Sequence, residues 1–229
     1  MKTALVTGAN KGIGFEIAKQ LGLSGWRVVV GARDASRGKA AVATLKALGI
    51  SASWQAIDLT DSATLDAVGK QLENSDLSLL VNNAGIPGNQ ELIGYDTPLA
   101  DLRSTMEVNF FGTFALTQAL LPILEASHGQ IVNITVPTSP NVFLNPFAYK
   151  TSKAAQNTMT TSMALWLEHE NQTTTIAGIH PGPVTTDLNG NMTGDFMQDA
   201  PTVGEKIVAL INNGLANGTL VELDGMAMP

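Results

Sequence analysis

Short apolar runs alternate with longer amphipathic segments from one end of this chain to the other, and that alternation restricts the fold more than any single motif. Thr3–Thr7, Arg27–Val30, Ala52–Ile57, Leu77–Val81, Ile131–Ile134, Thr175–Ile179 and Leu220–Leu223 read as strands. Ile13–Leu23, Ser36–Leu48, Ser62–Leu72, Leu99–Leu124, Phe147–Glu168 and Val203–Asn212 carry a helical pattern between them. Strands separated by helices are joined by crossovers rather than hairpins, so they lie parallel with helices on both faces. Right-handed crossovers make such a sheet doubly wound, and ligands gather beyond the carboxyl ends of its strands where the strand order switches. The expected class is α/β, with about seven strands in one domain over residues 1–229, a length that suits a single large α/β unit. The longest irregular stretch is Pro181–Pro201.

Composition removes several classes of partner. There is no cysteine, hence no disulfide and no thiolate metal site. His128, His169 and His180 show no ligand spacing, so no metal is expected, and His180 reads as structural. Thirteen basic against 20 acidic residues give a net charge of −7, a poor match for nucleic acid. Met1-Lys2-Thr3 runs directly into a strand, without the pattern of a signal peptide. No apolar run approaches the ~20 residues of a membrane span; Phe110–Leu124 comes nearest and is interrupted by Gly112, Thr113, Thr117, Gln118 and Pro122. A cytoplasmic protein is expected. A small anionic ligand remains compatible, because Arg33, Arg37 and Lys39 are gathered in one short segment.

The first strand runs into Gly8-Ala9-Asn10-Lys11-Gly12-Ile13-Gly14 and then a helix. Glycines there let the chain turn tightly and let a phosphate approach the backbone amides, while the helix N-terminus adds partial positive charge. The spacing is Gly-x-x-x-Gly-x-Gly rather than the common Gly-x-Gly-x-x-Gly.

Further motifs follow in order: Asp58-Leu59 after the third strand, Asn82-Asn83-Ala84-Gly85 after the fourth, Asn109 within Val108–Gly112, Tyr149-Lys150-Thr151-Ser152-Lys153, and Pro181-Gly182-Pro183-Val184-Thr185-Thr186. Together with Thr7–Gly14 they resemble the short-chain dehydrogenase/reductase family along nearly the whole chain. The resemblance implies a Rossmann fold and a nicotinamide cofactor. Gly8, Asn10, Lys11, Gly12, Ile13 and Gly14 would lie against its phosphates and Asp58 and Leu59 beside its adenine. Asn83, Ala84 and Gly85 would flank it, with Pro181, Gly182, Val184 and Thr186 along the nicotinamide. The stretch after Thr186 and the short C-terminal end look like the carbonyl-reductase branch.

The second strand ends Val30-Gly31-Ala32-Arg33, with no acid at Ala32 to take a ribose 2′-hydroxyl. Arg33 suits a 2′-phosphate, and Lys11 can approach the same phosphate from the glycine loop, which favours NADPH/NADP+ over NAD.

Tyr149 and Lys153 are four residues apart and share a helix face. A nearby ammonium favours the phenolate, so Tyr149 can donate a proton to a carbonyl oxygen as hydride arrives, or remove one in reverse; by resemblance, Lys153 would also hold the nicotinamide ribose hydroxyls. By resemblance, Asn109 would anchor a water of the proton relay. One position departs from the family: its serine, thirteen residues before the tyrosine, is Val136 here, which cannot donate a hydrogen bond. Three explanations stand: Thr138 or Ser139 substitutes, with Thr138 favoured by strand alternation; Tyr149 works alone and slowly; or the protein binds cofactor without chemistry.

Residues 187–201 carry Met192, Phe196 and Met197 and read as a substrate-binding loop with an apolar, adaptable wall. The implied function is reversible NADPH-dependent reduction of ketones and aldehydes. The alternatives are a non-catalytic NADP(H)-binding regulator and an NADP-dependent alcohol dehydrogenase running oxidatively. The two long helices match the family's dimer contact, so a homodimer or homotetramer is expected; a light-scattering mass of one chain would exclude it.

Overall fold

The computed structural model describes residues 1–92, 94–139 and 146–229; Pro140, at the end of the run after Val136, lies outside the described residues. Seven parallel strands form one sheet in the order β3-β2-β1-β4-β5-β6-β7: β1 Thr3–Thr7, β2 Arg27–Ala32, β3 Ala52–Ala56, β4 Leu77–Asn82, β5 Gln130–Ile134, β6 Thr175–Ile179 and β7 Leu220–Val221. The order reverses between β1 and β4, which opens the crevice predicted for a ligand.

Alternation along the strands divides the core. Ala4 and Val6 of β1 face one layer, with Ile17, Ala18 and Leu21 of α1 (Gly12–Leu23) and Val203, Ile207 and Ile211 of α7 (Ala200–Asn213). Leu5 faces the other, with Leu65 and Val68 of α3 (Ser62–Leu72), Leu116, Leu120 and Leu124 of α5 (Thr113–Ala126), and Leu167 of α6 (Phe147–His169). The remaining helices are α2 (Ala35–Ala47) and α4 (Leu99–Met106).

Aspartates start three helices: Asp34 accepts from the Arg37 amide at 2.8 Å, Asp61 from the Ala63 amide at 3.0 Å, and Asp199 from the Thr202 amide at 2.8 Å. The last of these corrects the predicted helix start at Val203. Pro201 stands in the first turn, where its missing N–H is no loss, so irregular chain ends at Asp199.

The long predicted helix runs from Leu99 to Ala126, with a π segment at Glu107–Gly112 joining α4 to α5. At 28 residues it is long and apolar enough to cross a membrane by length and composition, which corrects the expectation that no segment approaches that limit. One face of it packs into the core, with 39% of its apolar window buried. Leu116, Leu120 and Leu124 are fully buried in the layer with Leu5, and Thr105, Asn109, Thr113 and Thr117 are buried polar groups.

In the last turn of that helix, Glu125 fastens the turn before β6. Its carboxylate accepts from the amides of Thr173 and Thr174 at 2.8 and 2.9 Å and from their hydroxyls at 2.8 and 2.7 Å. Burial acts to raise its pKa, but the four donors outweigh it and hold the carboxyl at about 2. A folded value below the unfolded one contributes stability above about 4.5 that is lost as pH falls toward 2. Glu125→Gln should therefore lower Tm at pH 7 by roughly 2–4 °C, the effect of about 1 kcal/mol in a chain this long. It should also flatten the acid limb of thermal stability; an unchanged limb in a melting series from pH 7 to pH 3 would refute this.

Candidate active site

A cleft of 570 Å³ opens at the reversal of strand order. The residues lining it include Gly8, Asn10, Lys11, Gly12, Ile13, Gly14, Arg33, Asp58, Leu59, Asn83, Ala84, Gly85 and Thr186. The glycine loop is built by close approach. Gly8 has φ +65°, and a Cβ on it would lie 3.0 Å from Ala84 Cα; a Cβ on Gly14 would fall on Asn83 Nδ2. Thr7, the first residue of the matched motif, locks the loop to the end of β4: its hydroxyl accepts from the amides of Asn83 and Ala84 at 3.0 Å each, and its carbonyl accepts from Asn83 Nδ2 at 2.9 Å. Helix α1 begins without a side-chain cap, unlike the three Asp-capped helices, so its first-turn amides are left for a ligand.

The basic side chains divide. Arg33 and Arg37 both line the cleft. Lys39 does not join them; its Nζ lies 5.5 Å from the Trp54 ring centroid. Asp34, the acid nearest the end of β2, is committed to capping α2. Lys11 lines the cleft with Arg33 but is already engaged there. Its Nζ donates to Asp187 Oδ2 at 2.6 Å, tying the glycine loop to the start of the 187–201 loop. Lys11 first, then Asn191, holds the Asp187 carboxyl below its usual range. Gln90 Nε2 makes a second tie, donating to Leu188 O at 3.3 Å.

Three predicted site residues, Asn109, Tyr149 and Lys153, lie beside the cleft rather than lining it. Asn109 is fully buried in the π segment. Its Nδ2 donates to Ile86 O at 2.9 Å and Ser152 Oγ at 3.0 Å, and its Oδ1 accepts from the Ile86 amide at 2.8 Å. Since Ile86 lines the cleft, Asn109 joins the two regions; it contacts α6 through Ser152, not through Lys153. Tyr149 is half-buried on the first turn of α6, and burial pushes its phenol up to about 12. Lys153 is buried one turn later, with Nζ 5.9 Å from the Tyr149 ring centroid, and burial pulls its ammonium down to about 7.

Behind this pair a polar ladder crosses the sheet ends. Asn82 Nδ2 donates to Thr117 Oγ1 at 3.0 Å and Asn133 Oδ1 at 2.9 Å; Asn133 Nδ2 donates to Thr160 Oγ1 at 2.8 Å. At the departed serine position, Val136 is half-buried and its carbonyl accepts from Asn157 Nδ2 at 3.1 Å. Thr135 donates to Asn157 Oδ1 at 2.5 Å, while Thr138 and Ser139 are exposed. Pro181, Gly182 and Val184 lie outside the cleft lining; Val184 is buried and bridges Gln198. His180 pairs with Glu222 at 2.6 Å, fastening β6 to the C-terminal turn.

Comparison with known proteins is consistent across sequence and structure. A family model, short chain dehydrogenase, matches residues 2–195. The chain is 34% identical to 7alpha-hydroxysteroid dehydrogenase of Escherichia coli (strain K12) over 189 residues, 81% of this chain and 72% of that one. It is 36% identical to carbonyl reductase (NADPH) 1 of Mus musculus over 77% of this chain, which spans 64% of that enzyme's length. The crystal structure of NADPH-bound carbonyl reductase from chicken fatty liver superposes with a TM-score of 0.84 at 25% identity, covering 99% of this chain and 98% of the other.

Proposed function

The chain belongs to the short-chain dehydrogenase family of oxidoreductases, and we propose that within it this protein is an NADPH-dependent carbonyl reductase with Tyr149 as general acid. The observation that carries the reading is the buried Lys153 ammonium set beside the Tyr149 ring, next to a glycine-lined cleft. The cleft fits a nicotinamide dinucleotide: uncapped α1 amides and the close-packed glycine loop would hold the pyrophosphate, and Arg33 with Arg37 a 2′-phosphate. Asp34, held in its cap, is poorly disposed to take a 2′-hydroxyl, which supports NADPH. When bound, the cofactor would supply the hydride.

The chain's own part is proton delivery and orientation. A phenol held at about 12 is protonated at neutral pH, the form that donates to a carbonyl oxygen. Lys153 stabilises negative charge developing on the phenolic oxygen. Leu188, Met192 and Phe196 are exposed on the 187–201 loop and support a bulky apolar carbonyl compound as substrate. Phe111, Phe114, Leu165 and Trp166, exposed on α5, α6 and the π segment, support a homo-oligomer.

Val136 favours a second reading, a cofactor-binding regulator without turnover. Initial rates of NADPH oxidation with aryl ketones, keto esters, aldehydes and an oxosteroid decide between them. Turnover is expected, reduced roughly tenfold or more in Thr138→Val if Thr138 serves as the missing donor. Tight NADPH binding with no turnover of any carbonyl would overturn the enzyme.

A further inference from the structure

Lys153 has a partner that neither the resemblance nor the spacing of motifs assigns. Its Nζ donates to Ile134 O, at the end of β5, at 2.7 Å and to Gln156 Oε1 at 2.9 Å. We infer that Gln156 is a positioning residue for the reaction, whose side-chain carbonyl holds the Lys153 ammonium in place and keeps it charged. The rate consequence rests on the reductase reading; the effect on the ammonium itself does not.

Gln156 is 1% exposed and Lys153 4% exposed, so neither finds its partner in water. Three residues apart on one face of α6, they meet without strain. An ammonium has three donors; Ile134 and Gln156 take two in fixed directions and leave one for a ligand hydroxyl. The glutamine is itself fixed. Its backbone carbonyl accepts from Thr160 Oγ1 at 2.9 Å, and Thr160 ends the ladder from Asn82 and Asn133.

Burial alone drives the fall in the Lys153 pKa, and no charged side chain contributes to it. Among the described residues, the groups placed against Lys153 are the Tyr149 ring on α6, the Ile134 carbonyl on β5 and the Gln156 amide; the π segment presents Asn109 to α6 through Ser152. The neutral Gln156 carbonyl thus opposes desolvation without a full negative charge. A leucine would offer no acceptor, and a glutamate would form an ion pair.

The test is the titration of Lys153 in the cofactor-free chain, followed by NMR of 13Cε-lysine and assigned by loss of the signal in Lys153→Arg. Gln156→Leu should lower the midpoint by about one pH unit, or tenfold in the proton equilibrium, and Gln156→Glu should raise it by at least as much. Because activity needs the ammonium, the high-pH limb of kcat for NADPH-driven reduction should move the same way, to lower pH in Gln156→Leu and higher in Gln156→Glu, with KM for NADPH changing less. Gln156→Glu keeps the shape of the side chain and carries the test if Gln156→Leu does not fold. A Lys153 midpoint unmoved in both variants, with kcat falling equally at every pH, would reduce Gln156 to packing and overturn the inference. A wild type inert to every carbonyl would sink the reductase reading alone, and the titration would still decide the role of Gln156.

Discussion

Tyr149→Phe is expected to lower kcat for carbonyl reduction by about 10³-fold while leaving NADPH affinity within roughly twofold. Phenylalanine keeps the ring that lies beside Lys153 and removes only the transferable proton. The lost hydroxyl is the one whose pKa of about 12 keeps it protonated at neutrality, and the apolar Val136 offers no second donor beside it. Initial-rate kinetics together with NADPH fluorescence titration check both halves. A variant retaining more than about a tenth of the wild-type rate would mean that another group delivers the proton.

Arg33→Asp should raise KM for NADPH by roughly 100-fold and change KM for NADH by only a few-fold, since it removes charge-assisted bonds to one phosphate and adds repulsion toward it. Arg33 lies in the cleft with Arg37, while the adjacent acid is already engaged in capping α2, so the change bears on the 2′ substituent. Equal effects on the two cofactors would remove the NADPH assignment. Lys11 contributes less clearly than its place in the glycine loop suggests, because Asp187 already engages it and a phosphate must compete with that carboxylate.

The fold was legible because apolar periodicity reports which side of a sheet or helix is buried, and Ala4, Leu5 and Val6 divide between the two layers as alternation requires. The glycine loop was legible because close backbone approach excludes other residues at Gly8 and Gly14. What escaped depends on partners distant in sequence or on hydrogen bonds without a residue signature. Lys11 and Asp187 are 176 positions apart, and nothing near Lys11 announces a carboxylate. Pro201 looked like the end of a loop and stands in the first turn of a helix. Gln156 left one readable signal, a polar residue on the buried face of α6 three places after the site lysine. The location of Thr138 beyond the last residue of β5 explains why alternation was a weak guide there: period two holds only while the chain is a strand.

The π segment carries a constraint on chain length. Ahead of it α4 packs against α6, and behind it α5 packs against α3. One residue added to an α-helix turns everything downstream by about 100° about the axis, so the wider turn acts as a phase shift between two stripes that a regular helix could not both present. Asn109 sits inside the shift, aimed at Ile86 and Ser152, while Leu116, Leu120 and Leu124 take the new phase into the core. Deleting a single residue between Glu107 and Gly112 would rotate one stripe out of register even where Asn109 itself is kept. In this stretch the count of residues is as binding as their identity.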